Sequence, residues 1–496
     1  MIVVADSDWK QSFQNNSPGQ ESGNSGPTHA APQARGSLDP YATPYNALPP
    51  PPPPPPYYYH SYSSYTPPIP TVIAVPYRQS STSRFWTAFA FALILYLGFV
   101  GLAHTVIDMA TGGIHWDNGA VGAPSPGDGN VLRYIGGLNW TSYQSPPDWA
   151  PRYPRGAQTS FILPVHSDEL YLISRGSYQH GKVKVKQSVD VEVSNVVVEV
   201  RVAYHHDRAL GRATVCKLRK EESKIGVGIF TPTLGWPLFI KQDQLNFEVT
   251  FIFPVTRPGS PPILVNRFLT TTHNFVHEVG DLWQSIIFGD VDLNTSNSPI
   301  QVEALTLAKG SFTSSNSFIS GHFNTSDSLI LRTSNGNIDV TASLLSTRER
   351  ATKLDMRTSN SFIKSEVSLS TRSDSGGNFD VKAHTSNSMI DLKYDDSPLD
   401  ACLISEAQTS NSAVSVKMHP AFEGAFEVAS SNMGPIVKDE KPSDPSGRRR
   451  RRILNQNKAR GTISGSVYWV GSDGARRETR SYSTARTSNS HATLKL

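Results

Sequence analysis

One pair of acidic residues in this sequence has a spacing that invites a catalytic interpretation. Asp395 and Asp396 are adjacent carboxylates, and glycosidases use two carboxylates, one on each side of the bond they cleave. Adjacent side chains on a strand point to opposite faces, however, and the following Ser-Pro is typical of a turn. The pair therefore predicts no glycosidase site, and we identify no catalytic residue elsewhere in the sequence.

A pair of histidines, His205 and His206, precedes Asp207 and raises the question of a metal site. Two adjacent imidazoles on a strand point to opposite faces and cannot easily share one ion. A zinc site would also need further ligands at suitable spacing. We interpret the three residues as a polar turn after a strand, and we predict no metal and no cofactor.

Nucleophilic chemistry has equally little support. GTISG at 461–465 carries Ile463 where a Gly-x-Ser-x-Gly elbow has its nucleophile, and Ser464 is offset. The two cysteines, Cys216 and Cys402, exclude a disulfide framework and leave open whether they pair with each other. The sequence favours a protein that is not an enzyme, with a polysaccharide-active β-helix enzyme as a remaining alternative.

A repeated triplet, Thr-Ser-Asn or a close variant, dominates the C-terminal half. Its asparagines recur at steps of 19, 19, 25, 27, 24 and 21 residues, and a later copy follows an irregular insertion. Steps of this size are typical of stacked repeats. The predicted corner residues are Asn297, Asn316, Asn335, Asn360, Asn387, Asn411, Asn432 and Asn489.

The residues after each asparagine carry the second half of the pattern. In most copies two apolar residues fall two positions apart, as in Ile338 and Val340 or Ile390 and Leu392, which indicates a short strand with one buried face. We therefore predict a parallel β-solenoid over 291–496, with a corner and then a strand in each coil. Asn and Gly tolerate the left-handed backbone that such corners need, and stacked asparagines can bond amide to amide.

The first 84 residues are rich in Pro, Ser, Gly, Asn and Tyr. Such a segment buries too little apolar surface to offset its chain entropy, so we predict that 1–84 is a disordered cytosolic tail. A run of eight prolines within it favours a polyproline II rod, which is either a docking site for an SH3, WW or EVH1 module or a stiff spacer. These residues are Pro49, Pro50, Pro51, Pro52, Pro53, Pro54, Pro55 and Pro56.

Residues 85–107 contain no Asp, Glu, Lys or Arg. A helix of this length, rising ~1.5 Å per residue, crosses a ~30 Å hydrocarbon core, so we predict one transmembrane helix. Arg78 and Arg84 precede it, and no Lys or Arg follows before Arg133. The positive-inside rule then predicts a cytosolic N-terminus and an extracellular or lumenal C-terminal part. The glycosylation candidates on that outer side are Asn139, Asn294 and Asn324.

Two segments separate the predicted span from the repeats. Gly and Pro are frequent in 108–157, which we interpret as a stalk. Residues 158–290 contain runs of alternating apolar residues and predict a β-rich, sandwich-like unit, with one helix over 273–283. Beyond the tail and the span, we therefore predict an all-β protein.

A basic run, Arg448–Arg452, lies inside 439–460, which we interpret as an exposed loop inserted between coils. Three interpretations remain open for this run: a solvated loop, a dibasic processing site, or a binding site for an anionic wall polymer. Nuclear targeting conflicts with the predicted topology. The net charge of the whole chain is only +4. That composition is not typical of nucleic-acid-binding proteins, so we predict no nucleic-acid partner.

Two further stretches carry a family resemblance: SRGSYQHGKVKV at 174–185 and VGIFTP at 227–232. Together with the tail and the apolar span, they make the chain resemble single-pass membrane proteins of filamentous fungi, mainly mushrooms, that carry a domain of unknown function. Repeats such as TSNGNIDV at 333–340 are similar to the "putative adhesin" β-solenoid domains of bacteria and fungi. The resemblance covers about 160–496; it implies a β-solenoid and brings no catalytic residues with it.

Two non-catalytic functions follow from these features. The preferred one is a membrane-anchored surface protein whose solenoid binds cell-wall polysaccharide or another surface, because the long polar flank of a solenoid suits extended partners. The alternative is a scaffold whose proline-rich tail recruits cytosolic modules. The sequence does not determine the ligand, the membrane or the oligomeric state.

Overall fold

A computed structural model describes most of the chain from residue 122 onward. The described residues are 122–136, 140–142, 146–191, 194–233, 241–256, 259–347, 350–373, 375–472, 474 and 479–496. The predicted tail with its proline run, the predicted span over 85–107 and Asn139 lie outside them. Within the described residues, no helix is both long enough and apolar enough to cross a bilayer.

Strands make up almost all of the regular structure, as the alternating apolar pattern predicts. In chain order they are β1 (Asn130–Gly136), β2 (Thr141–Ser142), β3 (Arg155–Pro164), β4 (Glu169–Arg175), β5 (Gln179–Ser188), β6 (Asn195–Tyr204), β7 (Thr214–Glu221), β8 (Lys224–Phe230), β9 (Leu245–Pro254), β10 (Ile263–Thr271), β11 (Phe275–Asp281), β12 (Ile286–Thr295), β13 (Ile300–Ser314), β14 (Ile319–Thr333), β15 (Ile338–Ser346), β16 (Thr352–Arg357), β17 (Ile363–Thr371), β18 (Asn378–His384), β19 (Ile390–Asp396), β20 (Cys402–Gln408), β21 (Val414–Lys417), β22 (Gly424–Ser430), β23 (Ile436–Lys438), β24 (Arg451–Ala459), β25 (Thr462–Val470), β26 (Tyr482–Thr487) and β27 (Ala492–Lys495). One short helix, α1 (Asp207–Gly211), follows β6.

Two parallel ladders of strands form the two faces of a stack, and each coil contributes one strand to each ladder. Sheet A runs in the order β9, β5, β11, the first part of β13, the first part of β14, β15, β17, β19, β21, β27 and β23. Sheet B runs in the order β8, β4, β10, β12, the second parts of β13 and β14, β16, β18, β20, β26 and β22. This long, mostly parallel pairing is consistent with the predicted solenoid.

Apolar side chains of successive coils stack in columns between the two sheets. One column in sheet A is formed by Ile300, Ile319, Ile338, Ile363, Ile390, Val414 and Ala492. Every member is buried, and full burial of each isoleucine or valine side chain contributes about 1.5–3 kcal/mol. Where a repeat has a second apolar residue, such as Val340 or Leu392, that residue faces the same interior.

Antiparallel strands close the end of the stack formed by β8 and β9. β6 pairs with β9 and β3 pairs with β6, while β7 pairs with β8 and β1 pairs with β7, all antiparallel. Residues such as Phe161 and Val198 on these strands belong to the same buried cluster as the coils. In sequence, the first strands of the parallel stack are therefore β4 and β5, well before residue 291.

The last coil in the sequence is not the last coil in space. β26 lies between β20 and β22, and β27 lies between β21 and β23. The chain skips one coil position after β21, forms the antiparallel hairpin β24–β25 against β22, and then returns to fill the skipped position. We call residues 482–495 the inserted coil.

Three local predictions are wrong. The helix predicted over 273–283 is strand β11, because buried and partly exposed residues alternate with a period of two from Phe275 to Val279. The loop predicted over 439–460 contains β24, whose backbone pairs with β25. The stalk predicted over 108–157 contributes β1 and β2, which pair with β7 and β3.

Candidate functional site

The corner asparagines form one continuous hydrogen-bonded ladder along the edge of the stack. In spatial order its members are Asn274, Asn297, Asn316, Asn335, Asn360, Asn387, Asn411, Asn489 and Asn432. At each step the side-chain Nδ2 of one asparagine donates to the Oδ1 of its neighbour over 2.6–2.8 Å. All eight predicted corner asparagines lie in this ladder.

The hydroxyl residue two positions before each asparagine fixes the corner from the inside. Thr333 Oγ1 donates to the Ser317 carbonyl over 3.1 Å, and Thr358 Oγ1 donates to the Gly336 carbonyl over 2.9 Å. Both threonines are buried, and a buried hydroxyl without a partner would cost free energy. Thr or Ser is therefore suited to this position because its hydroxyl reaches the preceding coil.

The corner backbone differs from the predicted one. Among the described residues other than glycine, only Asp400, Lys441 and Arg449 have a positive φ, so the ladder asparagines are not left-handed. Instead, the amides of Ser334 and Asn335 both donate to one carbonyl of the preceding coil, that of Ser315, over 3.1 and 3.0 Å. Asparagine is used here for its side-chain amide, which both donates and accepts.

Asn274 is a ladder member that the sequence pattern did not identify. Its Oδ1 accepts from Asn297 Nδ2 over 2.8 Å, across 23 residues of sequence. It follows Thr272 and His273, so histidine stands where the other copies have serine. Its spacing from Asn297, which falls within the range of the repeat steps, is the signal that could have found it.

The two described sequon asparagines lie on strands near corners. Asn294 is exposed on β12, whereas Asn324 is only partly exposed on β14. The residue after each, Thr295 or Thr325, is buried and its hydroxyl donates to a backbone carbonyl. Asn294 therefore has the more accessible side chain of the two for a glycan.

The residues considered for catalysis and metal binding have partners within the fold. Asp395 pairs with Lys393 over 2.6 Å, and Asp396 accepts a hydrogen bond from the Ser397 amide over 2.8 Å. His206 caps helix α1, its side chain accepting from the Ala209 amide over 3.2 Å. Within the part of the chain that the structure describes, no three His, Cys, Asp or Glu side chains form a group that could hold a metal ion.

Both cysteines are free thiols. Cys216, on β7, is fully buried, and burial, with a smaller contribution from the charge of Asp128, raises the pKa of its thiol to about 12. Cys402, on β20, is partly exposed. Because the thiolate is the reactive form, Cys216 is inert in the folded protein.

A groove of about 480 Å³ opens on the outer face of sheet B where the hairpin β24–β25 joins it. Its lining contains three amide residues, two serines, two aromatic residues and one carboxylate, together with an alanine and a glycine. The polar and aromatic residues are Phe426, Glu427, Asn455, Gln456, Asn457, Ser464, Ser466 and Tyr482. We call it the amide groove.

Strand pairing brings the lining of the amide groove together from distant parts of the sequence. One row across the strands runs through Tyr482, Ala425, Ser466 and Asn455. A second row runs through Thr484, Glu427, Ser464 and Asn457. Paired residues on adjacent strands face the same side of a sheet, so the two rows share one face, on which Ala425 is apolar and Thr484 is buried.

A carboxylate and a tyrosine set the electrostatics of the amide groove. Glu427 accepts hydrogen bonds from Arg486 Nη2 over 2.9 Å and from the Tyr482 hydroxyl over 3.3 Å. Partial burial and the charge of Glu427 raise the pKa of Tyr482, so the phenol stays neutral at physiological pH. With 36% of its surface exposed, Tyr482 presents part of its ring to a ligand.

Glycine forms the floor of the amide groove. A Cβ atom added at Gly465 would lie 2.1 Å from the Asn455 carbonyl oxygen and 2.6 Å from the ring of Phe426. Contacts this short do not occur without rearrangement. Only glycine therefore lets β25 lie over Phe426 while it also pairs with β24.

Comparisons with known proteins add little to this description. No protein-family model matches the chain, and no curated protein matches it. Among solved structures, the chain is similar to one described as a "putative cell adhesion protein" from Clostridium sporogenes, with 7% sequence identity, covering 68% of this chain and 99% of that chain, at a TM-score of 0.15. A similarity this low supports no argument about function, and the resemblance to fungal membrane proteins stays a prediction.

Proposed function

We propose that this chain is a non-catalytic, membrane-anchored surface protein whose β-solenoid binds a neutral glycan, such as a cell-wall polysaccharide, in the amide groove. The observation that carries this proposal is the lining of the groove: strands β24 and β25 align Asn455, Asn457, Ser464 and Ser466 on the same face as Tyr482 of β26. The ligand class follows from the chemistry of those groups.

Amide and hydroxyl side chains are complementary to sugars because each both donates and accepts hydrogen bonds, as sugar hydroxyls do. The exposed part of the Tyr482 ring supplies an apolar contact for the C–H face of a sugar. The groove lies open on the outer face of a sheet, so the middle of a long polymer can enter it without being threaded. Pairing of β24 with β25, and of β25 with β22, holds these groups on strands, which limits the ordering cost of binding.

The proposal of binding without catalysis rests on the carboxylates. Glycoside hydrolysis requires two of them at a defined separation. Glu427 is the one carboxylate among the described residues that line the groove. It is held by Arg486 over 2.9 Å, and no second carboxylate lies beside it among the described lining residues.

Membrane anchoring is proposed from the sequence of 85–107 and from the arginines that precede it. In that arrangement the solenoid lies outside the cell or in a lumen, where cell-wall polysaccharide is accessible. The rival proposal is a scaffold that binds its partners through Pro49–Pro56, in the cytosol.

Glycan-array binding by the full-length protein, purified in detergent, tests the groove. We expect Asn455→Ala combined with Asn457→Ala to weaken binding of the recognised neutral glycan about tenfold or more, since each lost hydrogen bond contributes about 0.5–1.5 kcal/mol. Gln301→Ala, an exposed amide on sheet A, is the matched control and should leave binding unchanged. Equal affinity of the double variant and the native protein would contradict the proposal.

Two cell-based measurements separate the anchored surface protein from the scaffold. A shift in gel mobility on endoglycosidase treatment, lost when Asn139, Asn294 and Asn324 are replaced by Gln, would support the outward orientation. Deletion of 48–59 should leave surface attachment unchanged if the solenoid does the binding. Loss of attachment with localisation retained would instead favour the scaffold.

A further inference from the structure

A second cavity, of about 410 Å³, lies at the same end of the stack and is basic. Four cationic side chains line it, Lys441, Arg449, Arg450 and Arg452, against two acidic ones, Asp439 and Asp444. Arg452 is three positions from Asn455 on β24, and side chains alternate along a strand. The cavity therefore lies on the opposite face of the hairpin from the amide groove, and we call it the basic cavity.

Two of these cations, Arg450 and Arg452, are paired with acidic residues of the fold. Arg450 contacts Asp444 and Glu423, each over 3.0 Å, and the guanidinium groups of Arg450 and Arg452 lie 5.7 and 5.8 Å from the ring centre of Trp469. Burial alone would raise the pKa of Asp444, but hydrogen bonds from Arg450 and Ser446 lower it. Arg452 pairs with Asp439 over 2.7 Å, and its buried Nε has no hydrogen-bond partner among the described residues.

The other two cations, Lys441 and Arg449, have no ion-pair partner among the described residues and are held in an unusual backbone conformation. Lys441 and Arg449 have φ values of 50° and 58°, in the left-handed region that is costly for residues with a side chain. They are two of the three non-glycine residues with positive φ in the described chain, and both line the basic cavity. Neither forms an ion pair with a described residue, so both charges remain available to a ligand.

A column of lysines extends from the basic cavity along the outer face of sheet A. Lys393, Lys417, Lys495 and Lys438 face one another in register on β19, β21, β27 and β23. Coils in such a stack are ~4.8 Å apart, and like charges directly opposite each other are destabilising. Lys393 is neutralised by Asp395 and Glu366, and Lys417 by Glu440. No ion pair with a described residue compensates Lys495 or Lys438, and Lys438 directly precedes Asp439 of the cavity.

We propose that the basic cavity and the adjoining lysines bind an acidic polysaccharide, with one oxyanion in the cavity between Lys441 and Arg449 and further acidic groups along Lys438 and Lys495. A polymer that carries a carboxylate or sulfate on successive sugars matches cations that recur once per coil. Single-stranded nucleic acid fits the site less well, because its binding relies on rings that stack with bases, and Trp469 is buried and covered by two arginines. The inference does not depend on the amide groove and assigns a role to part of the basic run around Arg449.

Binding of immobilised polymers by the full-length protein, purified in detergent, tests this inference. The probes are polygalacturonate, which carries carboxylates, dextran sulfate, which carries sulfates, and uncharged dextran. Lys441→Asn with Arg449→Asn removes both free charges, and asparagine tolerates the left-handed conformation. Lys458→Gln with Arg460→Gln removes two exposed charges from the same insertion and is the matched control.

We expect binding to at least one anionic polymer that weakens about tenfold in the Lys441→Asn, Arg449→Asn variant, because charge-assisted contacts are the strong ones, and that changes little in the control. The polymer that binds identifies the acidic group. Absence of binding to both anionic polymers, equal weakening in both double variants, or equal binding of uncharged dextran would overturn the proposal. Unchanged thermal unfolding of the two variants would show that the fold is retained.

Discussion

Asn489 donates a side-chain hydrogen bond to Asn411 over 2.7 Å, although 78 residues separate the two in sequence. On its other side, Asn489 accepts from Asn432 over 2.6 Å. The sequence copy furthest along the chain therefore occupies an internal position of the ladder. The inserted coil is held by the same corner hydrogen bonds as every other coil.

Asn489→Ala should lower the free energy of unfolding by about 1–2 kcal/mol, because it removes two side-chain hydrogen bonds that each contribute about 0.5–1.5 kcal/mol. Urea denaturation followed by intrinsic fluorescence measures the change. Asn457→Ala removes an exposed asparagine outside the ladder and should change stability by much less. Equal effects of the two substitutions would argue that the ladder does not stabilise the corner.

Leu494→Asp should release the inserted coil. Leu494 is fully buried between Val416 and Val437 in register, and a buried unpaired carboxylate costs on the order of 4 kcal/mol or more. Limited proteolysis should then cut within 424–438, which loses its neighbour on one side. The neighbouring substitution Thr493→Asp places the same charge on the outer face and should leave the digestion pattern as in the native protein.

His277 should make the protein sensitive to acid. It is buried on β11 between Val183 and Ile300, bonds Thr270 over 2.8 Å, and burial lowers its pKa to about 4. Between pH 6.5 and about 4, the unfolded chain binds a proton at this side chain that the folded chain does not. The free energy of unfolding should therefore fall as the pH is lowered through this window, by up to about 3 kcal/mol.

The pH dependence of denaturant midpoints measures this contribution. His277→Gln keeps a hydrogen-bonding side chain but cannot titrate, so its stability should decline less steeply below pH 6.5. If native and variant proteins lost stability in parallel as the pH fell, His277 would not be the group responsible.

The two thiols should react at very different rates. A maleimide should modify Cys402 in the native protein, since it is partly exposed, while Cys216 should react only after unfolding because burial holds its pKa at about 12. Mass spectrometry of peptides from native and denatured samples distinguishes the two sites. Modification of Cys216 under native conditions would show that β7 opens readily.

The sequence predicts the repeat well because its signal is local. The triplet and the apolar pair after it, as in Asn335, Ile338 and Val340, lie within a few residues of one another, and each corner uses the same contacts. The error over 273–283 has a local cause too: Phe275, His277 and Val279 alternate as in a strand, but the run is short and is followed by Gly280 and Asp281.

The candidate sites were not predictable because no local pattern marks them. Tyr482 reaches Asn455 only through β22 and β25, and the skipped coil that makes Tyr482 a neighbour of Ala425 leaves no signature in either segment. The sequence treats Arg448–Arg452 as one basic run. In the fold, Arg450 and Arg452 stack on Trp469, while Arg449 lines the cavity and forms no ion pair with a described residue.

The skipped coil position also has a consequence for biosynthesis. Residues 424–438 leave the ribosome before 482–495, yet they can take their final place only after those later residues have arrived between them and 402–417. During translation, a nascent chain can therefore form its coils in order from the first coil to Lys417. The coils beyond Lys417 can form only after the remaining residues have been synthesised. A product interrupted anywhere before residue 482 would retain an unsealed end, with exposed strand edges that chaperones and proteases recognise.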